Sequence, residues 1–340
     1  MKYTLRDIAK RANVSPATVS NALNGRAGVS KSVQEHILSI AKEMGYQANR
    51  ENSKAGKHVR LIIFRSHGMV VMDTQFFSEL IESIQVECHR VGLELLISMI
   101  NSRKDSDYEN QLSSFRGEEC AGIVLLGTEM NEEELKQYTD FRSPMVVLDN
   151  LFRLQDVHSV VMNNWQAGFL AAEALCAAGH RDIHHITSSV SFNNMTDRQR
   201  GLADGLEQHG LSLEKEKIWP VRPTMNGAYE DMKVLIRERK KLPEAFFAGN
   251  DIMAIGCMRA MQEAGYQVPE DVSVIGMDDT SICLACTPQL STVHVFRREL
   301  GQTVIRTLLS LPEKDTSCRI KTEVGVQVVM RDSVKTKGME

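Results

Sequence analysis

The first residues whose types suggest a chemical role lie near the start of the chain, on one face of a predicted helix. That face carries Ala17, Thr18, Ser20 and Asn21. Val19 and Leu23 fall at helical spacing and are expected to be buried beneath it. None of the outward side chains is acidic, and the Asn21 amide could form two hydrogen bonds with an adenine edge in the major groove. The face is therefore typical of a helix that reads DNA bases.

The elements that would hold this face are two short helices joined by a tight turn. Thr4 and Asp7 have the spacing of a helix N-cap box, and apolar residues follow at helical steps. Ser15 can cap the second helix, with Pro16 at its first position, where a missing N–H costs nothing. A third amphipathic helix follows and completes a predicted helix-turn-helix headpiece over residues 1–45. An ordinary helical hairpin would show a similar pattern.

The charge of this segment favours the DNA reader over the plain hairpin. Residues 1–58 hold ten Lys or Arg against four Asp or Glu, a net charge of +6. The whole chain carries −4, so residues 59–340 carry −10. A basic head on an acidic body is typical of a nucleic-acid reader attached to a second module.

Fixed residue types recur at one spacing from Thr4 to Asn24. The chain fills every position of the pattern T-x-x-D-[IV]-A-x-x-A-x-V-S-x-x-T-V-S-x-x-[LVI]-N. In this it resembles the LacI/GalR family of bacterial transcription regulators. The resemblance implies that Pro16, Ala17 and Asn21 contact bases. It also implies a set that binds phosphates or caps helices, two roles that can coexist: Thr4, Ser15, Thr18, Ser20 and Asn24.

Residues 46–58 are polar and basic, with almost nothing to bury, and are predicted to form a linker. In the family this segment usually carries a Pro and then an A-R-x-L element, whose leucine enters the minor groove. Here Ala48 stands where the Pro would be, and Ala55 stands near the leucine position. The chain departs from the pattern at both points, and Lys54 and Lys57 are left as candidates for phosphate contacts.

Strand and helix patterns alternate from Val59 onward, which is typical of parallel sheets covered by helices. The number of units exceeds one sheet, so an α/β core with two doubly wound parallel-sheet lobes is predicted. The resemblance implies the periplasmic-binding-protein-like type I architecture, in which the chain crosses between lobes three times. Crossings near residues 161, 290 and 321 would give a core of 59–331, a first lobe of 59–161 and 291–320, a second lobe of 162–290 and 321–331, and a tail of 332–340.

Polar side chains stand just past the carboxyl ends of predicted strands, where open α/β sheets bind ligands. They are Asp149, Asn250 and Asp278. The matches N-D-x-x-A-x-G at Asn250 and V-P-x-D-[IV]-S-V-x-G at Val268 extend the resemblance into this half of the chain. It further implies a cleft residue at Arg198, in an R-x-x-G match.

The same resemblance places an aromatic side chain, Phe76, where it could stack on a sugar face or pack in the core. It places Trp219 and Arg222 near the mouth of the cleft. Two carboxylates, an amide and a guanidinium suit the vicinal hydroxyls of a sugar or a nucleoside-like ligand. Two carboxylates would repel a phosphate, so a neutral saccharide is the expected effector. Asp279 is expected to cap the segment that follows it.

Other chemistries find little support in the sequence. No dinucleotide-binding, P-loop or nucleophile-elbow motif is present, so no catalytic residue is assigned. Cys283 and Cys286 form a lone C-x-x-C without a second pair, and no metal or cofactor is expected. The start of the chain runs directly into an amphipathic helix, and no apolar run could span a membrane, so a cytoplasmic protein is expected.

These patterns predict a homodimeric regulator that binds a pseudo-palindromic operator in double-stranded DNA through two headpieces. The resemblance implies that a small ligand between the lobes controls it, with repression of sugar-utilisation genes as the expected output. Two alternatives stay open at this point. One is a cytoplasmic sugar-binding sensor, and the other is a regulator controlled by a partner phosphoprotein docked on the first lobe.

Overall fold

The computed structural model describes residues 5–23, 30–44, 57–71, 75–101, 106–239, 241–311 and 318–337. The chain divides into two compact units, Met1–Lys54 and Ala55–Glu340. Thr4, Asn24 and Lys54, each with a predicted DNA contact, lie outside the described residues, and so does the predicted linker except for its last two residues. No helix in the described ranges is both long and apolar enough to cross a membrane.

The N-terminal unit contains the helices α1 (Leu5–Ala12), α2 (Pro16–Leu23) and α3 (Lys31–Glu43). Asn13 makes the turn between α1 and α2 with a φ of 56°, a left-handed conformation that Asn adopts more readily than most residues. Ser15 then accepts a hydrogen bond from the Thr18 N–H at 3.1 Å. The expected cap at Ser15 is therefore present, and it fixes where α2 begins.

The apolar faces of the three helices meet in one small core. Its buried members are Ile8, Ala9, Ala12, Val19, Ala22, Ile37, Ile40 and Ala41. The Gln34 side chain also donates to the Ala22 carbonyl at 3.2 Å, which ties α3 to α2. Helices this short are marginal alone, so burial of these faces holds the outward face of α2 in place.

The described part of the larger unit has two six-stranded sheets. Its strands are β1 (His58–Arg65), β2 (Glu94–Asn101), β3 (Gly122–Leu126), β4 (Met145–Leu148), β5 (His158–Met162), β6 (Ile183–Ser188), β7 (Ile218–Val221), β8 (Ala245–Ala248), β9 (Ser273–Asp278), β10 (Ser291–Val295), β11 (Lys321–Val324) and β12 (Val326–Val329). Its helices are α4 (Gln75–Arg90), α5 (Tyr108–Arg116), α6 (Glu132–Leu135), α7 (Asn164–Ala177), α8 (Asn193–Gln208), α9 (Met225–Arg239), α10 (Asp251–Glu263), α11 (Ile282–Ala285) and α12 (Arg297–Ser310).

The first sheet is parallel throughout, in the order β11-β5-β4-β3-β1-β2. Side chains alternate across it: Leu61 and Ile63 of β1 join the core cluster that includes α4 and α12, while Ile62 and Phe64 join the cluster that includes α5. Helices cover both faces, as the alternating pattern predicted. This sheet and its helices are the first lobe.

The second sheet has the order β12-β10-β9-β8-β6-β7, with only the edge strand β12 antiparallel to its neighbour among the described pairs. The strands β8 and β9 are buried along their whole length. Such continuous apolar strands are typical of a parallel sheet packed on both faces. This sheet and its helices, α7 to α11, are the second lobe.

The chain crosses between the lobes three times, but two predicted crossing points were too early. Strand β10 pairs with β9 of the second lobe, so the chain crosses after Val295 and not near 290. Strand β11 pairs with β5 of the first lobe, so the last crossing is at Gly325 and not near 321. The assignments of 291–295 and 321–324 are corrected accordingly. Apolar patterning reveals a strand but does not say which sheet it joins.

The predicted tail of 332–340 is also corrected, because its described residues are bonded to the second lobe. Ser333 is fully buried, and its hydroxyl donates to the Val274 carbonyl at 2.6 Å and accepts from the Ser291 N–H. Further on, the Lys337 N–H donates to the Ala178 carbonyl at 2.8 Å. These residues attach the end of the chain to the second lobe through hydrogen bonds, for which the sequence has no apolar signal.

Candidate functional site

Five of the seven predicted cleft residues line one small cavity between the two lobes. They are Phe76, Asp149, Arg198, Asn250 and Asp278. The cavity, called the inner cavity below, lies at the carboxyl ends of strands from both sheets, and its volume is about 30 Å³. A space of this size holds about two water molecules, so a sugar ring would require the lobes to move apart.

Arg198, on α8, is the buried positive charge of the inner cavity. Its Nε donates to Asn164 Oδ1 at 2.8 Å, and its Nη1 donates to the Gly249 carbonyl. Burial lowers the pKa of this guanidinium, while the nearby carboxylates of Asp278, Asp149 and Asp251 raise it. The guanidinium is thus fixed by hydrogen bonds and surrounded by acids.

Two glycines explain how α8 comes close enough to place Arg198 there. A Cβ on Gly201 would lie 1.8 Å from the Trp165 carbonyl oxygen, and one on Gly168 would lie 1.9 Å from the Arg198 carbonyl oxygen. The backbones of α7 and α8 therefore touch, and no larger residue fits at either point. This contact gives the R-x-x-G spacing of Arg198 and Gly201 a physical reason.

Asp149 follows β4 in the first lobe and holds a left-handed φ of 60°. Its carboxylate accepts from Thr128 Oγ1 at 2.6 Å and from Asn194 Nδ2, across the cleft, at 3.0 Å. Burial raises the pKa of this carboxyl to about 6, against the opposing effects of Thr128, Arg198 and Asn194. Asp149 is therefore both a ligand-facing acid and one side of a contact between the lobes.

Asp278 ends β9 and Asn250 follows β8, so both reach the cavity from the second sheet. Burial raises the pKa of the Asp278 carboxyl well above its usual range, with Arg198 opposing and Asp251 reinforcing the rise. The Asn250 side-chain oxygen accepts from the Met253 N–H at 2.9 Å and so caps α10. Because the cap uses the oxygen, the amide nitrogen is the group that could contact a ligand.

Phe76 and Phe77 meet edge to face, with ring centroids 5.1 Å apart, and both line the inner cavity. Both also belong to the first-lobe core, where 3% and 6% of their surfaces are exposed. The Arg297 guanidinium lies 6.0 Å from the Phe76 ring centroid. Core packing and a wall of the cavity are thus combined in the same pair of rings.

Sequence patterns did not single out Glu129, which organises the loop between β1 and α4. Its fully buried carboxylate accepts backbone N–H bonds from Ser66, His67, Gly68, Val70 and Val71, at 2.8 to 3.3 Å. Burial raises its pKa, but these N–H groups and His67 lower it further than burial raises it. The loop is thereby pinned where Val70 lines the inner cavity.

Two of the predicted cleft residues lie elsewhere. Trp219 is 1% exposed on the edge strand β7, where its ring packs edge to face on Phe246 at 5.0 Å. The Arg222 guanidinium donates through Nη2 to Asp231 Oδ1 at 2.7 Å. Asp231 Oδ2 also accepts a hydrogen bond from the Arg222 backbone N–H. The placement of both at the cleft mouth is corrected: Trp219 is a core residue, and Arg222 holds the loop from β7 to α9.

The sequence predicts that Asp279 caps the segment after it, but the structure does not show this cap. It pairs with Arg331 at 2.6 Å and His294 at 2.8 Å, whose bonds lower its pKa although burial raises it. The segment after Asp279 is instead bound by Asp251. Its buried carboxylate accepts hydrogen bonds from the Thr280 N–H at 3.1 Å and from Thr292 Oγ1 at 2.6 Å. Asp251 lies inside the N-D motif, which was the available signal for it.

The two cysteines of the lone C-x-x-C differ in burial within the second lobe. Cys283 is buried, and burial together with the Asp251 charge raises the pKa of its thiol. Cys286 is partly exposed. Across the described ranges no three side chains of the metal-binding types cluster together.

A larger cavity opens beside the inner one, with a volume of about 510 Å³. Its lining consists of Gln75, Thr224, Met225, Asn226, Ile252, Asp278, Thr280 and Ile282. Asp278 lines both spaces, so this outer cavity and the inner cavity share one acidic side chain. Ligand sites are commonly a few hundred to a thousand Å³, a range that the outer cavity meets and the inner one does not.

The described residues on the outward face of α2 are at least partly accessible to solvent, as the sequence predicts. Ser15 and Pro16 are exposed, and Thr18 and Asn21 are partly exposed. Ser15 Oγ lies 2.8 Å from Thr18 Oγ1, so these two hydroxyls already share a hydrogen bond. The side chains of Ala17 and Ser20 lie outside the described residues, and Lys57, in the other unit, is exposed.

Comparisons with known proteins agree with both units. Residues 4–49 match the family described as bacterial regulatory proteins, lacI family, and residues 172–334 match a periplasmic binding protein-like domain. The HTH-type transcriptional regulator AscG of Escherichia coli (strain K12) is 31% identical over 337 residues, covering 97% of this chain and 98% of AscG.

Two solved structures show the same fold. The transcriptional regulator CelR–cellobiose complex superposes with a TM-score of 0.72 at 22% identity, over 98% of this chain and all of CelR. The lac repressor dimer bound to operator and the anti-inducer ONPF gives 0.70, also at 22% identity, over 98% of this chain and all of that one.

Proposed function

Because the chain belongs to the LacI family of bacterial regulatory proteins, we propose that it is a dimeric repressor of sugar-utilisation genes. Its headpieces bind a pseudo-palindromic operator, and an uncharged saccharide in the cleft between the lobes controls that binding. It acts by binding and carries out no catalysis. The observation that carries the proposal is the set of buried hydrogen-bonding groups where the two lobes meet.

The chemistry of the inner cavity supports an uncharged ligand. Two carboxyl groups, those of Asp149 and Asp278, line this cavity together with one guanidinium, that of Arg198. An anion such as a sugar phosphate would add negative charge to a site where carboxylates already outnumber the cation, at a high cost in a buried setting. Hydroxyl groups can donate to the carboxylates and accept from the guanidinium without adding charge.

The small volume of the inner cavity supports control by a change in lobe spacing. The lobes are joined here by Asn194 to Asp149, by Asn193 Nδ2 to Asn150 Oδ1 at 2.8 Å, and by the Arg153–Asp197 ion pair at 3.0 Å. A ring entering the cavity has to separate these contacts. A ligand with different affinity for two lobe arrangements shifts their populations, and about 1–3 kcal/mol is enough for a useful switch.

An exposed strand supports assembly of two copies. Strand β2 lies at the edge of the first sheet, where Ile97 is 48% and Met99 52% exposed. An uncovered apolar edge strand is a liability unless another chain covers it. Two-fold pairing would also match two headpieces to two half-sites of an operator.

The test of the DNA half uses Asn21→Ala, with Ser39→Ala on the exposed side of α3 as the matched control. Operator duplexes are first selected from a random pool, and binding is then measured by fluorescence anisotropy against selected and scrambled duplexes. Asn21→Ala should weaken binding to the selected duplex by about 1–3 kcal/mol and leave the scrambled duplex unchanged. Ser39→Ala should change neither. Equal losses on both duplexes would show that Asn21 does not read a base.

A further inference from the structure

One lysine holds the first-lobe loop from which a contact to the second lobe extends. The loop, residues 149–157 between β4 and β5, is called the β4–β5 loop below. We infer that Lys321 is a positioning residue for the switch: its ammonium group shapes this loop so that Arg153 reaches Asp197 of the second lobe, which favours the arrangement with the lobes close together. The inference deepens the proposed control by lobe spacing and rests on that proposed function.

The ammonium group of Lys321 is surrounded by backbone carbonyls of the loop. Its Nζ donates to the carbonyls of Phe152 at 2.5 Å, Arg153 at 2.8 Å and Gln155 at 3.0 Å. An ammonium group has three N–H donors and no acceptor, so these bonds use its full capacity. Residues 152–155 belong to no helix or strand. The middle of the loop is therefore shaped around one charge rather than by a regular element.

The two ends of the loop are fixed by other residues. Arg319 donates through Nε to the Asp156 carbonyl and through Nη2 to Asp156 Oδ2, both at 3.1 Å. At the other end, Asn150 Nδ2 donates to two carbonyls of the segment after β3, at 2.7 and 2.9 Å. Loss of the Lys321 bonds should therefore loosen the middle of the loop, where Arg153 lies, while both ends stay in place.

The middle of the loop is the part that crosses to the second lobe. Arg153 Nη2 donates to Asp197 Oδ2 at 3.0 Å, and the two side chains are 51% and 12% exposed. A half-exposed ion pair contributes little when both long side chains must be ordered to form it. Because the Arg153 carbonyl is one of the three acceptors, Lys321 fixes the backbone from which this side chain extends. Lys321 thus strengthens a contact in which it takes no part.

Lys321 also lies on the strand that leads into the second lobe. It opens the edge strand β11, opposite Ser159 of β5, and the chain then leaves the first lobe at Gly325. One side chain therefore joins the last crossing to the β4–β5 loop. Lys321 is not among the described residues that line either cleft cavity, so its replacement removes no wall of those cavities.

The first experiment is hydrogen–deuterium exchange of the full chain without ligand, read by mass spectrometry. Lys321→Met should speed exchange by about fivefold or more in the β4–β5 loop and also at the start of α8, in the other lobe. The matched control is Lys217→Met, because Lys217 Nζ donates to the Ser212 carbonyl at 3.2 Å within the second lobe. The control should change neither segment.

The second experiment is titration calorimetry with a panel of uncharged hexoses, pentoses and their glycosides. A ring that enters the inner cavity has to separate the lobes, so a weaker contact between them should favour binding. The Kd of the saccharide that binds should therefore fall by about fivefold in Lys321→Met and stay constant in Lys217→Met. A lysine that only stabilised the fold would not tighten binding when removed.

A double variant tests whether the effect passes through Arg153. Arg153→Met removes the guanidinium but keeps the carbonyl to which Lys321 donates. In that background, Lys321→Met should change neither the exchange at the start of α8 nor the saccharide Kd appreciably, because the contact it supports is already gone.

Three results would overturn the inference and leave saccharide control standing. They are faster exchange confined to the β4–β5 loop, a saccharide Kd that is unchanged or higher in Lys321→Met, and independent, additive effects of the two substitutions. If no saccharide of the panel binds, the proposed function is rejected. The exchange at the start of α8 in the single and double variants then decides the role of Lys321 without a ligand.

Discussion

The headpiece and the cleft recognise their targets by opposite physical means. Among the described residues of the headpiece the buried side chains are all apolar, and the outward face of α2 carries small, uncharged side chains within a basic segment. The cleft buries Arg198 among three carboxylates and exposes little of any of them. The first suits a large polyanion that is attracted from a distance, and the second suits a small neutral ligand held by fixed dipoles. The difference predicts that changes in charge, pH and salt act on the two regions separately.

Removing the buried cation should have the largest effect. Arg198→Met leaves Asp149 and Asp278 buried without their counter-charge and should destabilise the core by about 3–5 kcal/mol, measured by urea unfolding. The effector response should be lost, while DNA binding by folded protein persists. The control is Arg200→Met, two residues further along α8, whose side chain is 65% exposed; this change should alter stability little. Similar losses from both variants would contradict the role given to Arg198.

Removing the charge of Glu129 should have the next largest effect. Glu129→Gln replaces a carboxylate oxygen that accepts several N–H groups with an NH2 that cannot accept, at a cost of about 2 kcal/mol. Glu133→Gln is the control, since that side chain is 81% exposed. Urea midpoints provide the comparison. Unchanged stability in Glu129→Gln would mean that the loop after β1 is not held by this carboxylate.

Titration of Asp149 should give a smaller effect with a defined sign. Burial raises its pKa from 3.8 to about 6, so the folded state binds the proton more tightly, and stability falls as pH rises from about 4 to 6. Asp149→Asn removes the ionisable group and with it this decrease of stability with pH. The free energy of unfolding of the variant, relative to the native chain, should therefore increase by about 2 kcal/mol between pH 4 and 7 and stay level above. Parallel pH curves for the two proteins would contradict a raised pKa.

Salt should produce the smallest effect in the cleft and a steep one at the headpiece. Operator affinity should fall by orders of magnitude between 50 and 200 mM salt, because binding releases counterions from the phosphates. Saccharide affinity should stay nearly constant, since both ligand and site are sequestered from ions and the ligand is neutral. Calorimetry and anisotropy on the same samples make the comparison. A saccharide affinity that tracks the operator's salt dependence would remove the distinction between the regions.

Local patterns predicted the helices of the headpiece and the strand ends around the inner cavity, because each of these features depends on nearby residues. Ser15 caps α2, Val19 is buried, and Asp149, Asn250 and Asp278 meet where strands end. The errors concern long-range pairing. Nothing within 291–295 or 321–324 states which sheet each strand joins, and nothing near Glu129 indicates a loop some sixty residues earlier as its partner. The family resemblance placed Trp219 at the cleft mouth, whereas the structure has its side chain buried against Phe246 on the edge strand β7.

The most direct test of the account is one anisotropy series: the full chain, a selected pseudo-palindromic duplex and a random competitor, at several salt concentrations, with and without each uncharged saccharide. The account predicts a salt-dependent preference for the selected duplex that at least one saccharide changes by about fivefold or more. No preference for any duplex over the competitor, at every salt concentration and with every saccharide, would contradict it.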